Sequence, residues 1–289
     1  MHKPVFAILA AASLWAEGSG RIESVYAPKG FALTADPSAP QWRAIKPIIS
    51  DKDHYGKLVE GHRTEIRSRW TDSHLYILFT CPYRELNLKE NPSTKEETNK
   101  LWNWDVAEVF IGSDFEHIWQ YKELQVSPQG EWVDLDIDRK NPLPEGGWKW
   151  NSGFHVKARL DKENKIWYGE MEIPLSAIDP RPVREGNEMR VNFFRIQGEK
   201  ENKKYIVWQE TGVLNNHVPE AFGRITLVKL ASDYRANIKD FPSRAAWRGG
   251  ARLKRKPHHG FCGGLWNVHR TRQANATWPR SARQRTHDS

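Results

Sequence analysis

The fold is decided by residues 64–79, which read TEIRSRWTDSHLYILF. In residues 64–70 charged and uncharged side chains alternate, residues 71–74 are typical of a turn, and residues 75–79 form an unbroken apolar run. Successive side chains of a strand point to opposite faces of its sheet. The pattern therefore predicts a hairpin whose second strand is buried on both faces.

The same period of two continues along the chain and excludes a helical protein. Only residues 174–178 favour a helix, as one turn that begins with proline. About a dozen strands joined by short turns predict an all-β fold, an antiparallel β-sandwich of the jelly-roll type. Besides the first hairpin, strands are predicted at residues 106–111, 119–126, 131–137, 154–160, 165–173, 189–197, 204–209 and 223–228.

Residues 1–20 are typical of a signal peptide, with a buried N-terminal strand as the alternative. A short cationic start precedes an apolar segment at residues 5–16, and small residues follow at Gly18 and Ser19. We therefore expect a soluble, secreted or periplasmic bacterial protein. No lipobox-type cysteine follows the segment, so no membrane anchor is expected after cleavage. Cys81 and Cys262 do not indicate a disulfide framework, and a monomer is expected.

The basic charge of the chain lies in its C-terminal part. From Asp233 onward there are 13 Lys and Arg against 3 Asp and Glu, whereas residues 1–232 hold 31 against 33. We predict one domain at residues 21–232 and a basic, poorly structured tail at 233–289. The tail is either a disordered appendage or the product of a reading-frame slip near Asp240.

Tryptophan is the most informative residue type, with ten between residues 21 and 232. Trp70, Trp132 and Trp167 lie within strand patterns, which favours a place in the core. Trp102 lies in a polar stretch before a buried strand, and Trp208 precedes a polar run. Aromatic rings at strand ends can stack against the C–H face of a sugar, so these two side chains are candidate ligand contacts as well as candidate core residues.

Five segments resemble the family 9 carbohydrate-binding modules in sequence, order and spacing. The resemblance extends over about residues 42–228, nearly the whole predicted domain. The segments are LWNWDVAEVFI at 101–111, LQVSPQGEWVD at 124–134, EMEIP at 170–174, RVNFFR at 190–195 and AFG at 221–223.

This resemblance implies a β-sandwich of DOMON-like architecture and non-catalytic carbohydrate binding in carbohydrate catabolism. The ligands it implies are oligosaccharides or polysaccharide ends, such as those of xylan or cellulose. A sugar would lie between Trp102 and Trp208, with Glu108 binding hydroxyl groups and Arg195 as a further hydrogen-bond donor. A buried ion pair between Glu108 and Arg195 is the structural alternative. The resemblance implies structural calcium and no organic cofactor.

Three acidic residues are the candidate calcium ligands. Asp134, Asp136 and Asp138 alternate along one predicted strand, so their side chains share a face. Carboxylates this close repel one another unless they are solvated or bind a hard cation such as Ca²⁺. A solvated sheet edge is the alternative, because one strand alone cannot complete a coordination shell.

A glycoside hydrolase is the first alternative function. Its chemistry needs two carboxyl groups that flank the scissile bond. The sequence offers Glu170 with Glu172, or Asp105 with Glu108. Paired acidic residues are also common at strand edges, and no serine-histidine-aspartate order, phosphate loop or cysteine-histidine metal spacing accompanies them.

Two further alternatives depend on haem or on nucleic acid. Haem-binding electron transfer would need an axial methionine or histidine, for which the candidates are Met171, Met189, His117 and His217. Nucleic-acid binding would rest on the basic cluster at residues 252–259. Because that cluster belongs to the tail of a protein expected to be exported, we do not expect nucleic acid as a partner.

Overall fold

The computed structural model describes residues 20–232 and 234, and the regular secondary structure of this part of the chain is mostly β-strand. The predicted all-β class is confirmed. The strands are β1 (Arg21–Tyr26), β2 (Ile48–Ser50), β3 (Thr64–Trp70), β4 (His74–Pro82), β5 (Val106–Gly112), β6 (Gln120–Val126), β7 (Trp132–Asp138), β8 (His155–Asp161), β9 (Ile166–Pro174), β10 (Glu188–Gln197), β11 (Lys204–Val207) and β12 (Gly223–Val228).

Helical segments are short and lie between strands. The α-helical turn α1 (Leu175–Ile178) follows Pro174 and confirms the predicted turn. Its Leu175 and Ile178 are buried, so the turn covers one end of the main core. Four 3₁₀ segments are found at Leu101–Asn103, Pro144–Gly147, Lys200–Asn202 and Pro219–Ala221.

The strands form one continuous hydrogen-bonded sheet, in the order β7-β6-β5-β10-β12-β1-β3-β4-β9-β8. β11 pairs with β10, and β2 pairs with β3. β1 runs parallel to both of its neighbours, β12 and β3. The prediction of a wholly antiparallel sandwich is therefore wrong at this strand, because β1 joins the two halves of the sheet instead of returning through a hairpin.

The main hydrophobic core lies between the two halves of the sheet. It combines side chains of β3, β4 and β9 with side chains of β5, β6, β10 and β12. Trp70 and Trp167 are buried there, as predicted, whereas Trp132 is half-buried at its margin. The Trp70 indole N–H donates to the carbonyl oxygen of Val228 at 2.9 Å, which satisfies its polar atom inside the core.

A second apolar cluster covers the opposite face of β5, β6, β7, β10 and β11. Strand register decides which residues belong to it: Glu108 lies opposite Gln125 of β6 and opposite Phe194 of β10. Period two then places Phe110 and Glu123, themselves a pair, on that same face. This face carries the candidate site.

The predicted signal peptide and basic tail lie outside the described residues, apart from Gly20 and Tyr234. Within the described part of the chain, no helix has the length and apolar character needed to cross a membrane.

Candidate functional site

A cleft of about 580 Å³ lies over the outer face of the β5-β6-β7 sheet. Its floor includes Glu108, Phe110 and Glu123, and strand β7 contributes one wall. The other walls come from loops, because the chain entering β5, the chain after β11 and the segment around residue 54 all reach this face. The side chains along these walls include His54, Trp102, Leu135, Ile137, Leu143, Lys203, Tyr205, Leu214, Asn216 and His217.

Trp102 stands at one end of the cleft on the 3₁₀ turn before β5. The neighbouring Leu101 is fully buried in the second cluster and anchors this turn. The backbone N–H of Trp104 donates to the Leu101 carbonyl at 3.0 Å, and the Lys203 ammonium donates to the Trp102 carbonyl at 3.3 Å. The half-buried Trp102 ring thus lines the cleft on a turn that is fixed from both sides.

Two carboxyl groups lie side by side in the floor. Glu108 and Glu123 are only 1% and 4% exposed. The amide nitrogen of Gln125 bridges them, donating to Glu108 Oε1 at 2.9 Å and to Glu123 Oε1 at 2.5 Å. The neutral Gln125 amide therefore donates a hydrogen bond to each of the two acids.

Burial raises the pKa of both carboxyl groups because it disfavours their charged forms. The pKa of Glu123 rises to about 7. The pKa of Glu108 rises well above its ordinary value, first through burial and then through repulsion by Glu123. Like charges this close resist double ionisation, so the pair holds a proton near neutral pH.

Asn216 connects Glu108 to the neighbouring wall. Its amide nitrogen donates to Glu108 Oε2 at 2.8 Å, and its oxygen lies 2.7 Å from Nε2 of the buried His54. Since that oxygen can only accept, His54 must carry its proton on Nε2. The His54 ring packs against Tyr205 with 5.3 Å between ring centroids, which places two aromatic rings on this wall.

His217 closes the floor beside Glu123. Its Nδ1 lies 2.8 Å from the Tyr121 hydroxyl, and its Nε2 lies 3.9 Å from Glu123 Oε2. Burial lowers the pKa of His217 to about 4, so the imidazole is neutral at neutral pH. One nitrogen of the neutral ring donates and the other accepts, and the Tyr121 hydroxyl can take either role towards Nδ1.

Trp208 does not share the cleft with Trp102. Its ring packs against the main core, 5.5 Å from the ring of Phe193. A Cβ atom at Gly223 would stand 2.7 Å from the Trp208 ring, so only glycine permits this approach. Tyr205 and Val207 of β11 face the site, and the following residue points to the other side of the sheet.

Arg195 also lies on the core side, because its neighbour Phe194 is the residue that pairs with Glu108. The guanidinium donates to Thr64 Oγ1 at 3.3 Å and to Gln197, and it lies over the Trp167 ring. Neither a ligand contact in the cleft nor the alternative ion pair with Glu108 occurs in this arrangement. Of the four predicted ligand contacts, the structure brings together Trp102 and Glu108.

Comparison with known proteins agrees with this geometry. The sequence profile of the family described as carbohydrate family 9 binding domain-like matches residues 39–230. The chain belongs to this family. Membership in a family of binding modules confirms the prediction of a non-catalytic protein. Among curated proteins, none matches the chain significantly.

Solved structures share the fold of this family 9 module at low sequence identity. A protein from Bacteroides uniformis, proposed to bind carbohydrate, superposes with a TM-score of 0.56 at 14% identity, covering 72% of this chain and 99% of its own. A family 9 module from Caldicellulosiruptor kristjanssonii in complex with cellotriose gives 0.53 at 17%, covering 74% and 96%. Its complex with glucose gives 0.52 at 17%, covering 73% and 97%.

The three candidate calcium ligands of the family 9 module share a face but have separate partners. Asp134 is buried and accepts hydrogen bonds from the backbone N–H and hydroxyl of Ser152. Asp136 pairs with the Lys122 ammonium at 2.5 Å. Asp138 accepts from the Gln120 amide at 2.9 Å and from the two backbone N–H groups of residues 140 and 141.

These three carboxylates do not fit a calcium site, because a lysine already neutralises the central one. Among the residues that the structure describes, no group of three or more His, Cys, Asp or Glu side chains could hold a metal ion.

The carboxyl pairs considered for hydrolysis have structural partners in the family 9 module. Glu170 accepts from the indole N–H of Trp42 at 2.7 Å and from the backbone N–H of Ala35 at 2.5 Å. Glu172 accepts from the Tyr76 hydroxyl at 2.6 Å. Asp105 accepts from the backbone N–H of Gly198 at 2.6 Å. All three carboxyl groups hold segments of the fold together.

The candidate haem ligands are dispersed in the family 9 module. Met171 and Met189 are fully buried in the main core. His117 lies exposed beside Asp114, and His217 is engaged with Tyr121.

Glu123, Asn216 and His217 are site residues that the sequence interpretation missed. Glu123 could have been found from the register of β6 with β5, but the long connection between these strands hides that register.

Proposed function

We propose that the cleft binds the end of an oligosaccharide or polysaccharide, without catalysis. The observation that carries this proposal is the half-buried Trp102 ring at the end of a cleft whose floor presents the buried acceptor Glu108. An aromatic face next to a few fixed polar groups is the chemistry that recognises a sugar, which has an apolar C–H face and a rim of hydroxyl groups.

The floor can accept hydroxyl hydrogens without rearrangement. A carboxylate has about four lone-pair positions. Within the described residues, Glu108 accepts one hydrogen bond at each oxygen, from Gln125 and from Asn216. Lone-pair positions therefore remain on this carboxyl group for the hydroxyl groups of a ligand.

The volume of the cleft and the structural relatives also support the proposal. A volume of about 580 Å³ lies within the range of small-ligand sites. The Caldicellulosiruptor module has been crystallised with cellotriose and with glucose. We further propose that the protein acts outside the cytoplasm in carbohydrate catabolism, as a monomer, with cellulose-derived or xylan-derived oligosaccharides as the first ligands to test.

Isothermal titration of the full chain with cello- and xylo-oligosaccharides tests this function. Trp102→Ala removes the stacking surface, and such aromatic contacts contribute about 2 kcal/mol to binding, so the affinity should fall roughly 30-fold. Trp104→Ala is the matched control, because Trp104 belongs to the same segment and is half-buried but does not line the cleft.

The control variant should bind within about twofold of the parent protein. Equal losses in both variants would mean that the whole turn matters and not the Trp102 ring. Unchanged affinity in Trp102→Ala would rule out this cleft as the binding site.

A further inference from the structure

We propose that the preferred ligand of the cleft is an amino sugar, a sugar ring whose protonated amine binds between Glu108 and Glu123. This inference rests on the proposed carbohydrate function and names the class of sugar. Two adjacent buried acids concentrate hydrogen-bond acceptors at one point of the floor, which suits an ammonium group with three donors and a positive charge.

Neither acid forms a close ion pair with a lysine or arginine in the described part of the chain, although the charge of Lys203, on the wall of the same cleft, favours the ionised form of Glu108. Within residues 20–232, no lysine or arginine is hydrogen-bonded to either carboxyl group. The Lys203 ammonium is directed to the carbonyl oxygens of Trp102 and Asn103. The nearest basic side chain recorded for Glu123 is the neutral His217, at 3.9 Å.

Removing two acids from water is costly unless each is paired or hydrogen-bonded. Here the bridging partner is Gln125, which supplies a single amide nitrogen to both and leaves its own oxygen without a hydrogen-bond partner. The floor therefore has two adjacent acids without a hydrogen-bonded cation among the described residues, and an ammonium group from outside can donate to both.

An amine on a sugar ring fits this floor better than a hydroxyl group. An ammonium group has three donors and a positive charge, so it can donate to both carboxyl groups at once. The rings of Trp102, Tyr205 and His54 line the same cleft, and aromatic faces attract both C–H groups and cations. The aromatic side chains therefore favour an amine attached to a sugar ring over a small free amine.

Binding of the ammonium should displace the proton that the acid pair holds near neutral pH. The ligand enters as R–NH₃⁺, the pair becomes two carboxylates, and one proton leaves to solvent, so charge and protons balance. Affinity should then rise with pH until the amine itself deprotonates. The other charged or titratable groups on the pair's side of the sheet are His54, Tyr121, Arg139, Lys203 and His217.

Titration calorimetry of the full chain compares glucose, N-acetylglucosamine, glucosamine, 6-amino-6-deoxyglucose and methylamine. At least one of the two amino sugars should bind about tenfold more tightly than glucose, because charge-assisted hydrogen bonds replace neutral ones. Repeating the titration in buffers with different heats of ionisation measures the protons released, which should approach one for the amino sugar and zero for glucose.

Glu123→Gln keeps the shape of the floor and removes one acid. It should abolish the preference for the amino sugar and the proton release, whatever its effect on glucose binding. Glu108→Gln is a second variant if the first does not fold. Asp138→Asn is the matched control, since the half-buried Asp138 side chain is on the face of β7 turned away from Glu123 and is hydrogen-bonded to Gln120. It should keep the preference.

The outcomes separate this inference from the proposed function. Glucose binding as tightly as both amino sugars, without proton release, would overturn the amino-sugar assignment and leave carbohydrate binding intact. Methylamine binding as well as the amino sugars would also overturn it, because the sugar ring would then contribute nothing. Failure of neutral and amino sugars alike would overturn the proposed function itself.

Discussion

Glu123→Gln should make the protein more stable, and the gain should depend on pH. Burial raises the pKa of Glu123 from 4.5 to about 7 in the folded state. A carboxyl group with a raised folded pKa contributes stability at low pH that is lost as the pH rises through the folded value. Glutamine keeps the shape and the acceptor oxygen towards Gln125 but has no charge to bury.

The size of the gain follows from the two pKa values. One unit of difference between the pKa values of the folded and unfolded states corresponds to about 1.4 kcal/mol. The ionised Glu123 therefore lowers the free energy of unfolding by about 3 kcal/mol once both states are ionised. At pH 8 the variant should be about 3 kcal/mol more stable than the parent, and at pH 5 about 1 kcal/mol or less. For a domain of this size the pH 8 gain is a rise of about 6 to 12 °C in Tm.

Thermal melts at pH 5 and pH 8 measure this difference directly. Glu163→Gln is the control, because Glu163 lies exposed in the turn between β8 and β9 and should leave both melts unchanged. Equal melting temperatures for Glu123→Gln and the parent at pH 8 would refute the reasoning that the floor holds an uncompensated acid. A confirmed gain would mean that the site sacrifices stability for ligand binding, as functional sites often do.

Three further predictions concern the residues around the site and the ends of the chain. Trp208→Ala should lower stability by about 3 kcal/mol through the cavity it leaves against Phe193, and urea denaturation should show this loss. EDTA should leave the melting temperature unchanged, because Asp134, Asp136 and Asp138 have protein partners; a clear decrease would reveal a bound cation. Deleting residues 240–289 should leave the melt within a few degrees of the parent, since the apolar alternation ends near residue 230; a collapse would show that the tail belongs to the fold.

Most strands could be predicted from the sequence because period two is a local property. The strand predicted at residues 64–70 coincides with β3, and the one at 223–228 coincides with β12. Strands β1 and β2 were missed. β2 has only three residues, and β1 pairs with strands that are distant in sequence. The parallel pairing of β1 depends on tertiary structure and leaves no signal in alternation.

The site could be predicted only where a single local stretch carries it. Trp102 and Glu108 lie six residues apart, in one turn and the strand that follows it, and both line the cleft. The structure places Trp208 and Arg195 on the core side of the sheet, which depends on strand register, since a shift of one residue along a strand reverses the direction of the side chain. Asn216 contacts the floor by donating to Glu108, which is far away in the sequence, and an alternation pattern cannot predict such a contact.

A crystal structure of the protein soaked with a cello-oligosaccharide or an amino sugar tests the central claim most directly. The account predicts electron density for a sugar ring in the cleft, in contact with the Trp102 ring and within hydrogen-bond distance of Glu108. A sugar bound beside Trp208 instead, or an empty cleft at ligand concentrations that saturate binding in solution, would contradict it.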